Sequence, residues 1–136
     1  MNNVVSLKNF SFQHKINTRW KDLDAFQHVN NATFLTLIED ARILFFKRWE
    51  INYKDKSLIV ASVKIDYLKQ VSHPSKLIIG QKVCRIGNKS FDIQSAIFVK
   101  EDESPVCLST ITSVAFDFEK NKTIKVYPEI IKDYNK

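Results

Sequence analysis

The chain has 136 residues, of which 44% are hydrophobic and 12% aromatic, so it is not a disordered protein and we expect one domain, residues 1–136, with its own core. Its 21 lysines and arginines outnumber 15 acidic residues and give a formal charge of +6, which favours anionic partners. The basic residues are spread along the chain without an arginine-rich run or a Cys/His finger, so we expect no nucleic-acid binding.

The sequence shows neither an export signal nor an apolar run long enough to cross a bilayer, so we expect no membrane association. Cys84 and Cys107 do not have the spacing of a metal or redox motif, and two thiols in a chain of this size suit a reducing compartment. We therefore expect a cytoplasmic protein.

The first predicted elements are a strand and a long helix. Apolar and polar residues alternate from Phe10 to Thr18, as they do in a half-buried strand. From Asn31 the apolar spacing changes to three and four residues, which predicts a helix that ends near Trp49 and has Asn30 or Asn31 as its N-cap. Apolar residues on its other faces indicate that protein covers most of its circumference.

The rest of the chain is predicted to form strands. Residues 77–86 and 91–100 flank the short turn at Gly87, which indicates a hairpin. Residues 58–68 and 106–118 also alternate, and Pro128 is a favourable start for a short terminal helix. These elements predict an α+β fold in which a curved antiparallel sheet of about five strands wraps one long central helix. Such a sheet leaves an edge strand, so dimerisation by edge pairing is plausible.

The loop before the helix is the densest cluster of chemical groups in the sequence. Between Thr18 and Asn31 it carries Asp22, Asp24 and His28, next to a helix start whose backbone N–H groups lack partners. An N-terminal helix end polarises a carbonyl or anion that docks there. By itself, however, this local pattern favours an aspartate that caps the turn over one that performs chemistry.

Residues 19–31, together with Phe34-Leu35 and residues 39–42, resemble the opening motif of hotdog-fold acyl-CoA thioesterases of the 4-hydroxybenzoyl-CoA thioesterase type. The likeness continues in order over nearly the whole chain, through residues 62–69, 77–80, 85–91 and 113–117. The Asp-x-Asp-x-x-x-His-Val-Asn-Asn element is its most specific part, and the strand matches are individually weak.

The resemblance implies the hotdog fold and hydrolysis of acyl-CoA thioesters to a free carboxylic acid and CoA, without metal or cofactor. Acyl-carrier-protein thioesters, a non-catalytic acyl-thioester binding module and, more weakly, a dehydratase on the same scaffold are alternatives. The resemblance also implies a homodimer or homotetramer with active sites between subunits.

The family's catalytic residues correspond to three positions of this loop. The carboxylate falls on Asp24, which either attacks the thioester carbonyl or acts as a general base on water. Asn31 matches the position whose backbone N–H polarises the thioester oxygen. His28 either orients the loop or hydrogen-bonds a substrate oxygen; an equally good interpretation is that its ring satisfies backbone groups in the turn.

The phosphorylated adenosine of CoA needs cationic contacts. Lys89 and Ser90, at the hairpin turn, match positions that lie close to pantetheine and nucleotide in the family. Arg85 and Lys82, on the preceding strand, are further candidates. Lysines at hairpin tips are commonly only solvated, which is the alternative for each of them.

Other residues of the motif have structural interpretations. Asp22 is expected to brace the loop or pair with Arg19, and Glu39 to form an intrahelical ion pair with Arg42. Gln27 stands where family members often have glycine, and Gly80-Gln81 stands where Gly-Asp is frequent. A side chain at Gln27 is expected to narrow the site or alter the loop. The phenylalanines suit either an acyl tunnel or the core, and we favour the core for these residues: Phe26, Phe34, Phe45, Phe46 and Phe91.

Overall fold

Five long strands form one antiparallel sheet in the computed structural model, which describes residues 5–136. The strands follow the order β1-β3-β4-β5-β2, and a short sixth strand pairs with β5. The strands are β1 Phe12–Asn17, β2 Leu58–Tyr67, β3 Lys76–Ile86, β4 Ser90–Val99, β5 Cys107–Asp117 and β6 Lys122–Thr123. The curved sheet and its five long strands agree with the sequence prediction, whereas β6 was not predicted.

The long helix α1, Asn31–Phe46, packs on the inner face of this sheet and continues as a 3-10 turn to Trp49. Its N-cap is Asn30, whose Oδ1 accepts a hydrogen bond of 2.9 Å from the Ala32 N–H. The predicted start and end of the helix are therefore confirmed. Ile43 is exposed, so protein covers less of the helix than expected. One helix wrapped by an antiparallel sheet is the predicted α+β hotdog architecture.

The core has two parts, which lie under the two halves of α1. One part packs around Phe34 and Ile38, the other around Trp49 and the short helix α2, Pro128–Tyr134. Between them lies buried Gln81, whose Nε2 donates hydrogen bonds of 3.0 Å to the Ile38 carbonyl and to Ser95. The predicted terminal helix at Pro128 is thus confirmed.

The outer face of the sheet is partly covered by the N-terminal segment. Phe10 follows a 3-10 turn, Leu7–Asn9, and packs there against Phe98, so it lies outside the strand in which it was predicted. A Cβ on Gly80 would lie 2.6 Å from the Phe10 ring, which is why this strand position accepts only glycine without a shift.

Strand β2 is at one end of the sheet order and pairs only with β5 among the described residues. Residues 60–64 in its middle are all exposed, including Val60 and Val63. An apolar edge of this kind offers unpaired backbone groups to another strand. In residues 5–136, no helix combines the length and apolar character needed to span a membrane.

Candidate active site

The loop before α1 is held by the buried carboxylate of Asp22. This carboxylate accepts hydrogen bonds from the Arg19 main-chain N–H, at 2.7 Å, and from its guanidinium, at 2.8 Å. The Asp22 carbonyl also accepts from the Asn30 N–H at 2.8 Å. Burial raises the pKa of Asp22, but the hydrogen bonds and charge of Arg19 outweigh burial and leave the pKa below its ordinary value. Asp22 braces the loop and pairs with Arg19, as predicted.

Asp24 uses one carboxylate oxygen to hold the turn that follows it. Its Oδ1 accepts from the Phe26 N–H at 2.8 Å and from the His28 N–H at 3.3 Å. Its Oδ2 has no hydrogen-bond donor among residues 5–136. The turn-capping interpretation is therefore correct for one oxygen, and the second oxygen remains available for a ligand.

A cleft of about 440 Å³ opens between this loop, the first turn of α1 and the end of β2. It brings together Asp24, His28 and Asn31, the three residues predicted to be catalytic. The cleft is lined by Asp24, His28, Val29, Asn30, Asn31, Phe34, Tyr67, Leu68, Lys69 and Gln70.

Asn31 is the first residue of α1, and its backbone N–H has no acceptor in the part of the chain that the structure describes. The Asn30 side chain caps the N–H of Ala32 instead. At the other side of the same residue, the Tyr67 hydroxyl donates a hydrogen bond of 3.0 Å to the Asn31 carbonyl. The positive end of the helix thus presents one unpaired donor to the cleft that holds Asp24.

The backbone of His28 is satisfied without its ring. Its N–H bonds to the Asp24 carboxylate, and its carbonyl accepts from the Asp24 N–H at 2.8 Å. The imidazole Nδ1 is buried and has no partner within residues 5–136. The ring therefore does not satisfy backbone groups in the turn, which was one of the two interpretations of His28.

The predicted substrate-binding residues of the hairpin lie outside this cleft. Arg85 donates hydrogen bonds to Asp92, at 2.8 Å, and to the Ser90 hydroxyl, at 3.0 Å, so its charge is paired. The hydrogen bond from Arg85 lowers the pKa of Asp92. Lys89 is exposed at the tip of the turn. Neither Arg85 nor Ser90 nor Lys89 lines the cleft.

The sheet register shows how far the hairpin is from the cleft. Tyr67, at the cleft, pairs with Cys107, whereas Ser90 pairs with Val114 on the same strand. Seven residues of an extended strand span about 24 Å. Within one chain the structure therefore does not bring the predicted nucleotide contacts to the predicted catalytic residues.

Tyr67 is a site residue that the sequence did not single out. It lies 36 positions from Asn31, and its place in an alternating strand indicated only a strand residue. Its ring also lies 5.9 Å from that of Phe34, which is buried and lines the cleft. Phe26, in contrast, is 79% exposed, so the core interpretation was wrong for this residue, although it holds for the other four phenylalanines.

Gln27 adopts a φ of 69°, in the left-handed region that favours glycine. Glycine would adopt this conformation without the strain that a Cβ causes. The Gln27 side chain is exposed and does not line the cleft. The expectation that it narrows the site was therefore wrong.

The sequence profile of the Thioesterase-like superfamily matches residues 18–133, which include every residue of the cleft and of the hairpin. The chain belongs to this superfamily. This thioesterase-like chain is 35% identical over 86 residues to the uncharacterized protein YsmA of Bacillus subtilis (strain 168). That match covers 62% of the chain and 58% of YsmA, so it spans less than two thirds of this relative.

Two further comparisons cover most of the thioesterase-like chain. It is 25% identical over 123 residues to the long-chain acyl-CoA thioesterase FadM of Escherichia coli (strain K12), a match that covers 87% of the chain and 92% of FadM. The crystal structure of the PA5185 protein from Pseudomonas aeruginosa strain PAO1 superposes with a TM-score of 0.86 at 22% identity, covering 96% of the chain and 93% of that protein. The structural likeness establishes the hotdog fold.

Proposed function

We propose that this protein is an acyl-CoA thioesterase that hydrolyses acyl-CoA thioesters to a free carboxylic acid and CoA. One observation carries the proposal. Asp24 and Asn31 line the same cleft, and within residues 5–136 the Asp24 Oδ2 has no donor and the Asn31 N–H no acceptor. A thioester bound there would find a polarising donor and a base or nucleophile together.

The Asn31 N–H would stabilise the negative charge that develops on the thioester oxygen. Such a preorganised donor contributes on the order of 3 kcal/mol to lowering the barrier. His28 lines the same cleft, which supports a contact between its ring and a second substrate oxygen. We assign His28 to substrate positioning and Asn31 to oxyanion stabilisation.

Asp24 would act by one of two mechanisms, as a general base or as a nucleophile. As a general base, its Oδ2 takes a proton from water while the water oxygen attacks the carbonyl carbon, and the C–S bond then breaks to release the CoA thiolate. As a nucleophile, the oxygen forms an anhydride with loss of the thiolate, and water hydrolyses the anhydride. A burst of CoA that precedes acid release in rapid-quench kinetics would identify the nucleophilic route.

The activity test uses CoA release from a panel of acyl-CoAs. We expect wild type to hydrolyse at least one of them and Asp24→Asn to lower kcat by about 100-fold or more. Asp55→Asn, at an exposed aspartate of another loop, is the matched control and should leave kcat unchanged. A wild type that turns over no thioester, or an Asp24→Asn variant as fast as wild type, would refute the proposal. Tight retention of acyl-CoA without turnover would indicate the binding module instead.

For the acyl group, we propose an apolar one, because Val29, Phe34 and Leu68 contribute to the cleft wall. The panel should contain 4-hydroxybenzoyl-CoA, because the motif resembles that type, and long-chain acyl-CoAs, because FadM carries that activity in its name. Acyl-carrier-protein thioesters of the same acyl groups separate the two thiol carriers. Highest kcat/KM identifies the substrate class, and a preference for polar acyl groups would contradict the assignment.

We further propose a homodimer that pairs the β2 edges of two subunits, which in turn could associate as a tetramer. The exposure of residues 60–64, with Val60 and Val63 among them, supports this edge as the contact. In an antiparallel two-fold pairing, the Tyr67 end of β2 meets the Leu58 end of the other copy. The hairpin lies beside that end, since Ile59 and Ser90 both pair with Val114. The partner subunit's Lys89 would then approach the cleft that holds Asp24.

Mixing two variants tests this shared site. Lys89→Ala should raise KM for acyl-CoA more than for short thioesters that lack the nucleotide. If the site is shared, Asp24→Asn and Lys89→Ala chains refolded together should form mixed dimers with one intact site, and about a quarter of the wild-type sites should return. No gain at low substrate concentration, or a stable monomer in sedimentation, would refute the shared site.

A further inference from the structure

A second and larger cleft lies at the opposite end of the molecule. It encloses about 1060 Å³ between α2, the 3-10 turn Lys47–Trp49, the N-terminal segment and β3. Helix α1 separates it from the thioesterase-like cleft, because Asn31 begins this helix and Arg48 follows its end. A helix of 16 residues spans about 24 Å. The two clefts are therefore distinct within one chain.

The cation-lined cleft, as we call it, has more basic than acidic side chains in its lining: Arg48, Lys82, Lys132 and Lys136 against Glu129 and Asp133. Its carboxylate Glu129 already pairs with Lys56, which lies outside the lining, at 2.9 Å. Lys82 and Lys132 have no ion pair in the described part of the chain. Within residues 5–136, the charges of these two lysines are therefore not paired with a carboxylate.

Arg48 is held in place by its surroundings. Its guanidinium lies 4.5 Å from the centre of the Phe45 ring, and its Nη1 bonds to Asp133 at 3.1 Å. The ammonium group of Lys82 lies 5.2 Å from the centre of the Phe10 ring. Two of the four cations are therefore positioned by aromatic rings before any ligand arrives, which reduces the entropy lost on binding.

Cations near helix C-termini often serve only to offset the helix dipole. That explanation covers Arg48, after α1, and Lys132, in the last turn of α2. It does not cover Lys82, which projects from the middle of β3. Cations from three separate elements converge on one concave space, as in a site for a multiply charged anion.

We propose that the cation-lined cleft binds a small molecule that carries two or three linked phosphates. The volume of the cleft accommodates a molecule of nucleotide size. Tyr134, which is partly exposed at the rim, offers a ring on which a base can stack. A nucleotide and an inorganic polyphosphate share this phosphate chain, and both would use the same cations.

Trp49 provides a fluorescence reporter within this cleft. Its Nε1 donates a hydrogen bond of 2.8 Å to Asp133, the carboxylate that also binds Arg48. The chain has one other tryptophan, Trp20, which is exposed on the loop near the opposite cleft. In a Trp20→Phe background, a phosphate that binds Arg48 should change the emission of Trp49 alone.

The experiment titrates ATP and inorganic tripolyphosphate, separately and without acyl-CoA, into the full-length Trp20→Phe protein. Each probe should give a saturable change, and tighter binding of ATP would assign a role to the base. Lys82→Gln/Lys132→Gln should weaken binding about tenfold or more. Lys15→Gln/Lys100→Gln removes the same charge at a distant groove and should change binding less than about twofold.

Two outcomes would overturn the proposal. One is the absence of a saturable signal for either probe up to about 10 mM, or an equal loss in both double variants, which would reveal only diffuse attraction to a basic protein. The other is loss of binding in Lys89→Gln but not in Lys82→Gln/Lys132→Gln, which would place the probe at the hairpin. If the double variant fails to fold by circular dichroism, Lys132→Gln at an exposed residue replaces it. Since no acyl-CoA is present, the result is independent of thioesterase activity.

Discussion

The hydroxyl of Tyr67 donates a hydrogen bond of 3.0 Å to the main-chain carbonyl of Asn31 and so joins the end of β2 to the first turn of α1. Asn31 lines the cleft, and its own N–H has no acceptor within residues 5–136. The edge strand that we propose for dimerisation is thus connected directly to the proposed oxyanion donor. This relationship links assembly to the geometry of the site.

Tyr67→Phe should lower kcat about three- to tenfold, because the Asn31 peptide loses the bond that fixes its orientation. KM should change less, since the ring and its contact with Phe34 remain. The free energy of unfolding should fall by about 1 kcal/mol. Steady-state kinetics and urea denaturation measure these effects. Tyr53→Phe, at an exposed tyrosine of another loop, is the control. Unchanged kcat in Tyr67→Phe would remove the positioning role.

Gln27→Gly should raise the free energy of unfolding by about 0.5–1 kcal/mol, because glycine adopts the φ of 69° without the strain that a Cβ causes. Gln13→Gly, in β1, should lower it instead. Urea denaturation of both variants checks the opposite signs. Acyl-CoA preference should stay as in wild type, and a changed preference in Gln27→Gly would show that this side chain reaches the substrate.

Acid should destabilise the protein in part through Asp22. Its pKa in the folded state lies below the ordinary value of 3.8. Its contribution to stability is therefore complete above about pH 5 and is lost as the pH falls from there through the pKa of the folded state. The difference in unfolding free energy between wild type and Asp22→Asn should therefore be larger at pH 7 than at pH 3. Asp55→Asn should show little difference at either pH. An Asp22→Asn difference that is constant with pH would contradict this linkage.

The two thiols should differ in reactivity. Burial raises the pKa of Cys107 to about 12, and burial followed by the charge of Asp92 also raises the pKa of Cys84, which is nevertheless exposed. At pH 8 the native protein should react with a thiol reagent slowly and only at Cys84. Cys107 should react after unfolding. Loss of the native reaction in Cys84→Ser checks the assignment, and a fast reaction of Cys107 in the native protein would contradict it.

The parts of this protein that depend on neighbours in sequence could be predicted from the sequence. The helix start at Asn31, its cap at Asn30 and the pairing of Asp22 with Arg19 all arise from groups within a few residues of one another. Local hydrogen bonds and side-chain periodicity determine such features. The local pattern also marked the loop with Asp24 and His28 as chemically dense, whereas their catalytic roles came from the family resemblance.

Contacts between distant parts of the chain could not be read in this way. The alternation of β2 predicts a strand, but it does not predict where the end of that strand lies relative to α1. The position of this end allows the Tyr67 hydroxyl to reach the Asn31 carbonyl. Gln27 and Phe26 lie in a loop, and their exposure depends on how that loop packs.

The sequence by itself determined the long helix, the five main strands and the α+β class, because those depend on local spacing and residue type. Only the tertiary structure decided that the hairpin with Lys89 lies at the far end of the sheet and that Arg48 and Lys82 share a second cleft. Strand order and register set these distances, and they result from packing the whole sheet around one helix.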